Sequence, residues 1–183
     1  MNPDAPGPAI HYYMIRGGKD KRNVTVWETG TVDGEYIKTY GHYHLGKLDE
    51  TYWILLGEGV VLQQKLADPT KPDVVEEFKV IKVKAGDSCY MPLGYGHLVV
   101  NIGKTWLVTA DDSPVAGPDD SASMPGHADY EMVKKMRGFA YYVVEKDLPR
   151  VDGGKAGGKG PVLVPNKLYK EVKKVDFGGL PLV

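Results

Sequence analysis

The sequence is short of the features that mark several large classes of protein. Among its 183 residues there is one cysteine, Cys89, so no intrachain disulfide framework can form, and a reducing compartment is the expected setting. Cys89 stands in the run Ser88-Cys89-Tyr90-Met91, where it reads as a buried packing thiol. No apolar stretch approaches the roughly 20 residues that a membrane-spanning helix needs. The opening Met1-Asn2-Pro3-Asp4-Ala5-Pro6 has neither a basic nor an apolar segment of the kind a secretory leader carries. An excess of charge is lacking too. With 23 Lys and Arg against 24 Asp and Glu, the formal net charge is −1, which does not suit the basic face of a nucleic-acid binder. No internal repeat of fixed period is present. Together these absences predict a cytoplasmic protein with no nucleic-acid and no membrane partner.

What the chain does contain points to strands. Glycine (23) and proline (13) are abundant, and tyrosine (12) outnumbers phenylalanine (3). Frequent turns between short tyrosine- and valine-rich runs are the pattern of an all-β domain. Strands are expected over 10–15, 23–29, 35–44, 51–56, 60–65, 74–83, 88–91, 97–101 and 106–110, and again over 139–145. A short helix fits 129–136. Many short strands with little helix imply a jelly roll or related barrel, at whose mouth inward side chains from separate strands converge. Residues 1–9 read as a flexible arm, 10–147 as the barrel domain, and 148–183 as a partly flexible C-terminal extension. Within that extension, 161–164 and 169–177 are candidates to dock on the body or on a partner subunit. The stretch 111–131 carries six acidic residues and no lysine or arginine, and it reads as a loop.

Four side chains carry the chemistry. His42 and His44 alternate along one expected strand, so both imidazoles face the same side. Glu50 follows six residues after His44, and His97 lies in a later strand. Three imidazoles and a carboxylate suit a divalent transition metal and leave positions open for a bound substrate. Gly86, Pro92, Gly94 and Asn101 are better read as turn-formers than as chemistry. Tyr130 reads as a packing residue, and His127 as either a site residue or a loop histidine.

The spacing Gly86-x5-Pro92-x-Gly94-x2-His97-x3-Asn101, with His42-x-His44 and Glu50-x6-Gly57 before it, resembles the paired motifs of the cupin superfamily. The wider gap between His44 and Glu50 narrows the resemblance. Thr39-Tyr40-Gly41-His42-Tyr43-His44, Lys47-Leu48-Asp49-Glu50-Thr51-Tyr52 and His97-Leu98-Val99-Val100-Asn101-Ile102-Gly103 are similar to the cupin-type glucose-6-phosphate isomerases of archaea and some bacteria. So is Gly126-His127-Ala128-Asp129-Tyr130, and coverage runs from about Ile10 to Asp147.

The resemblance implies a cupin double-stranded β-helix with a short helical segment after the barrel. It implies a divalent metal (Fe, Mn, Ni or Zn) held by His42, His44, Glu50 and His97. It also implies phosphate or sugar contacts at Thr25, Thr39 and the backbone of Gly41, with Tyr52 lining the site. The implied activity is interconversion of glucose 6-phosphate and fructose 6-phosphate, a step of glycolysis and gluconeogenesis, in a homodimer. Glu50 is the candidate base, with Tyr52 and His127 as hydrogen-bonding partners. In a regular strand Thr39 and His42 would face opposite ways, and a bulge at Gly41 would reconcile them. The chain has Ala110-Asp111-Asp112 where that family usually has a tyrosine. A cupin dioxygenase using Fe or Ni and a non-catalytic sugar-binding cupin are the alternatives.

Overall fold

Short extended runs with alternating burial build nearly all of this molecule. It was obtained as a computed structural model, which describes residues 5–17, 23–114, 128–148 and 158–183. The strands are β1 (Tyr12–Ile15), β2 (Asn23–Trp27), β3 (Thr31–Val32), β4 (Glu35–Tyr36), β5 (Tyr43–His44), β6 (Glu50–Leu56), β7 (Glu58–Leu66) and β8 (Val74–Lys84). They continue as β9 (Ser88–Met91), β10 (Gly96–Asn101), β11 (Leu107–Asp111), β12 (Ala128–Asp129), β13 (Tyr141–Asp147), β14 (Lys159–Pro165) and β15 (Glu171–Asp176). The one helix among the described residues is α1 (Glu131–Lys135). No helix of the described residues is long and apolar enough to cross a membrane.

One sheet has five strands in the order β1-β2-β11-β6-β9, and a second has the order β10-β7-β8-β15. The facing sides of these two sheets form a first core. Trp27, Ile54 and Leu107 from one meet Val61, Val83 and Val99 from the other. The far side of the second sheet builds another core, where Leu62, Phe78, Leu98 and Val100 pack on Val133 of α1 and on Val143 and Leu163. Those last two belong to the sheet β14-β13-β4-β3. All six residues of β10 are therefore buried, as expected of a strand covered on both faces. Each fully buried Val, Leu or Phe contributes roughly 1.5–3 kcal/mol of hydrophobic stabilisation. The architecture is an all-β jelly-roll barrel with an added layer. Of the segment 148–183, residues 158–183 supply β14, antiparallel to β13, and β15, parallel to β8.

The expected continuous strand over 35–44 is interrupted. β4 pairs with β3 and β13, whereas Lys38 bridges to Val100 and His42 to His97. Between those two bridges one side advances from 38 to 42 and the other only from 100 to 97. The extra residue is a bulge containing Gly41, whose φ is +84°. A Cβ at Gly41 would stand 3.1 Å from both Leu98 and Phe139, so glycine is needed there for space as well as for backbone. The bulge resets side-chain parity, and Tyr36 is consigned to the second core instead of sharing a face with His42.

Candidate metal centre

The barrel mouth is where the bulged segment, β6 and β10 meet. Each presents its polar residue inward because its neighbours in sequence face a core. On β10, Leu98 and Val100 belong to the second core and Val99 to the first, which directs His97 into the barrel. Gly96 makes room for this arrangement, since a Cβ there would lie 2.6 Å from the Tyr43 ring. Tyr43 points away from the mouth, where Gln64 Nε2 donates to its hydroxyl at 2.8 Å. His42 and His44 are left facing inward. On β6, Glu50 pairs in register with Met91 and Tyr52 with Cys89.

His42, His44, Glu50 and His97 each offer one ligand atom, and these atoms all lie within 4.8 Å of one another. Ligands of a common ion at about 2.0–2.2 Å stand no more than about 4.4 Å apart, so a small side-chain adjustment would close the cluster on a cation. The imidazole centroids are 4.6 Å (His42–His97), 4.9 Å (His42–His44) and 5.2 Å (His44–His97) apart. Oε1 of Glu50 lies 2.6 Å from Nε2 of His97 and 3.3 Å from Nε2 of His44. The Ser113 hydroxyl donates to the other oxygen, Oε2. Nδ1 of His44 and of His97 is buried without a hydrogen-bond partner. It is the Nε2 atoms of these two rings that converge on Glu50 Oε1, so Nε2 is the lone pair a divalent cation would take up there, with Nδ1 on the outer side of each ring.

The electrostatics suit the same ligand set. Burial, reinforced by the neighbouring His97 and His44, lowers the His42 pKa to about 3, so its ring is neutral and its lone pair available. Burial alone would raise Glu50, but hydrogen bonds from His44 and His97 outweigh it and hold the carboxyl below its ordinary range. A neutral imidazole beside an ionised carboxylate is the state that binds a divalent ion without first losing protons. Tyr52 lies with its hydroxyl 3.4 Å from Nε2 of His97. Burial and the Glu50 charge push its pKa well up, which keeps it a donor.

A cavity of about 270 Å³ covers this cluster. Thr25, Thr39 and Gly41 line it together with the four candidate ligands and Tyr52. The Thr39 hydroxyl accepts a hydrogen bond from Val99 N–H at 3.2 Å. His127 lies outside the described residues. Tyr130, read from sequence as packing, instead lines the cavity, with its ring 5.6 Å from that of His42. It follows the β12–β5 pairing, in which Ala128 lies opposite His44.

Sequence reasoning missed Arg16, Asp111 and Ser113, which also line the cavity. Asp111 ends β11 beside β6, and its Oδ1 accepts from Asn23 Nδ2 at 2.8 Å and from Ser113 N–H at 3.1 Å. Burial raises its pKa. In sequence the run 111–112 shows as loop charge and as a departure from the family's usual tyrosine, not as a cavity carboxylate. The available signal was period two, since Leu107, Thr109 and Asp111 share the face that continues Trp27 and Thr25 across the sheet.

Fold and site define a cupin whose mouth gathers three histidines and one glutamate. The profile of the glucose-6-phosphate isomerase family matches residues 13–153, and the chain belongs to that family. No curated protein sequence matches it. Among solved structures, the chain is similar to the capsular polysaccharide assembling protein CapF from Staphylococcus aureus. Identity is 20%, covering 60% of this chain and 29% of that one, with a TM-score of 0.44. It is also similar to a variant of Bacillus subtilis oxalate decarboxylase OxdC at 22% identity, covering 49% of this chain and 20% of that one, with a TM-score of 0.36. The match spans less than a third of the length of either protein.

Proposed function

We propose that the protein is a metal-dependent aldose–ketose isomerase acting on glucose 6-phosphate and fructose 6-phosphate. The observation that carries this reading is the convergence of His42, His44, Glu50 and His97 in one cavity, in a chain of the glucose-6-phosphate isomerase family. These four residues would hold a divalent ion, with Mn, Fe, Ni and Zn as the candidates. When bound, such an ion supplies Lewis-acid polarisation of a sugar carbonyl.

The remaining work belongs to the chain's own groups. Glu50 is the proposed base that moves a proton between the sugar's C2 and C1. Its Oε2 is held by Ser113, which fixes the carboxylate plane. The Tyr52 hydroxyl, kept protonated by burial, would donate to a developing sugar alkoxide. Thr25, Thr39 and the Gly41 backbone are the proposed contacts for the sugar phosphate, with Arg16 as the one cation among the described lining residues. His127 is retained as a proposed partner of the substrate on the resemblance alone. A homodimer is proposed on the same basis.

The deciding experiment is a coupled assay of the two phosphates. Activity should fall with chelator and return with Mn, Fe, Ni or Zn. No turnover by fully metallated protein would sink the isomerase reading. Oxygen uptake with a candidate substrate would replace it with a dioxygenase. Ligand binding unaffected by His42→Ala would replace it with a binding protein.

A further inference from the structure

A second cavity, of about 530 Å³, opens on the other side of Tyr40, the one described residue that lines both. Its volume falls within the roughly 300–1,000 Å³ typical of small-molecule sites. Its described lining includes three cations, Lys38, Lys134 and Arg137, and no carboxylate. The metal cavity has the opposite balance, with Arg16 against Glu50 and Asp111. From just outside the lining, Glu131 pairs with Lys134 at 3.1 Å and Glu35 with Lys38 at 3.5 Å, which leaves Arg137 as the cation in excess, and that excess favours an anion in the second cavity.

Lys38 is the most constrained of the three. Its side chain is 14% exposed, and its one ion-pair partner among the described residues is Glu35 Oε1 at 3.5 Å. That is beyond the 2.7–3.2 Å of a good N–H···O bond, and the same Glu35 oxygen is buried without a hydrogen-bond partner. The Lys38 ammonium, with three donors and, among the described residues, only this long contact to Glu35, has donors to spare for an anion in the cavity.

Arg137 supplies an independent observation. The turn after α1 has Gly138 N–H donating to Val133 C=O at 2.9 Å and Arg137 N–H donating to Lys134 C=O at 3.1 Å. This is the Schellman pattern, in which the residue at the Arg137 position is usually glycine because it must be left-handed. Arg137 takes that conformation at φ +54°, against the preference of a residue with a Cβ. The turn is fixed from two sides. The Tyr142 hydroxyl donates to Arg137 C=O at 2.9 Å, and Asn166 Nδ2 donates to the carbonyls of Met136 and Phe139 at 2.8 and 3.0 Å. The guanidinium has no ion-pair or hydrogen-bond partner among the described residues. A local rule broken at the wall of a cavity, with the charge left free, is the pattern of a binding residue.

We propose that this second cavity is an anion site for the phosphoryl group of a small phosphorylated metabolite, separate from the metal cavity. Binding here requires neither metal nor turnover, so its failure and that of the isomerase reading are distinguishable. The test is a titration of the full chain with inorganic phosphate at constant ionic strength, followed by backbone amide shifts. Saturable shifts are expected at Arg137, Gly138 and Leu168, on an isotherm distinct from any at Gly41 and His97, since Gly41 is itself a proposed phosphate contact of the metal cavity. Arg137→Gly suits the left-handed position and should fold with an equal or higher Tm, yet bind phosphate about fivefold or more weakly, the loss of one charge-assisted contact. Lys134→Ala, at an exposed helical position, should weaken binding in the same direction. No saturable shift at the cavity would overturn the proposal, as would unchanged affinity in both variants. Shifts at Gly41 and His97 that follow the same isotherm would overturn it too, by placing the phosphate in the metal cavity.

Discussion

Oε1 of Glu50 lies 2.6 Å from Nε2 of His97, and the two side chains are 2% and 1% exposed. Each is the other's shortest polar contact apart from the Ser113 hydroxyl on Glu50 Oε2, with His44 also on the carboxylate and the Tyr52 hydroxyl 3.4 Å from the imidazole. His97→Ala leaves a buried carboxylate with less compensation and opens a void, and should destabilise the metal-free protein by about 3 kcal/mol. Glu50→Gln keeps the volume and removes the charge, and should cost about 1–2 kcal/mol. Urea denaturation of the two variants gives the comparison. A larger loss in Glu50→Gln would show that the carboxylate does not lean on His97.

Gly41→Ala should disturb the site through the backbone. The residue is left-handed, and a Cβ would press on Leu98 and Phe139 at 3.1 Å, so the variant should lose about 1–3 kcal/mol. Because His42 follows directly and is held by reciprocal hydrogen bonds to His97, at 3.2 and 3.0 Å, the displacement should reach the ligand cluster. Metal affinity should fall along with Tm. Unchanged affinity in a destabilised variant would show that the bulge serves the fold alone.

The barrel and the four-residue cluster were legible in sequence because they rest on short-range rules. His42 and His44 alternate, Glu50 opens an apolar run, and the glycine and proline spacing before His97 marks a tight turn. What was not legible depends on long-range pairing. The segment 35–44 changes neighbours, from β3 and β13 to β10, and no local pattern announces a strand that switches sheets. Arg16 comes from β1's end and Asp111 from β11's, brought to one cavity by pairing through β2. Tyr130 was missed because its position follows from the pairing of β12 with β5.

Acid should destabilise the metal-free protein over a window set by His42. Its pKa is lowered from 6.5 to about 3, chiefly by burial. Between those values the unfolded chain holds a proton that the folded one does not, so lowering the pH favours unfolding. The stabilisation is complete above pH 6.5 and declines progressively toward pH 3, at about 1 kcal/mol per pH unit for one group. Glu50, also lowered from its ordinary 4.5, adds loss in the same direction at lower pH. Urea midpoints between pH 7.5 and 5 should fall for the parent and fall less for His42→Gln. Equal slopes would remove His42 as the cause.

Glu50 and Asp111 share one cavity with their carboxyls pushed in opposite directions, Glu50 down through its hydrogen bonds to His44 and His97, Asp111 up through burial. Carboxyls separated in this way take different roles. Glu50→Gln should lose both metal and turnover. Asp111→Asn retains the oxygen that accepts from Asn23 and Ser113, so it should keep its metal. With the charge gone, kcat should fall by about 10- to 100-fold, the range of a single proton-transfer or hydrogen-bonding group. The acidic limb of its kcat/KM profile should move to lower pH, since the carboxyl that protonates first has been removed. Full kcat with an unmoved acidic limb would make Asp111 a structural carboxylate that only ties β11 to Asn23, leaving Glu50 as the sole proton carrier of the proposed reaction.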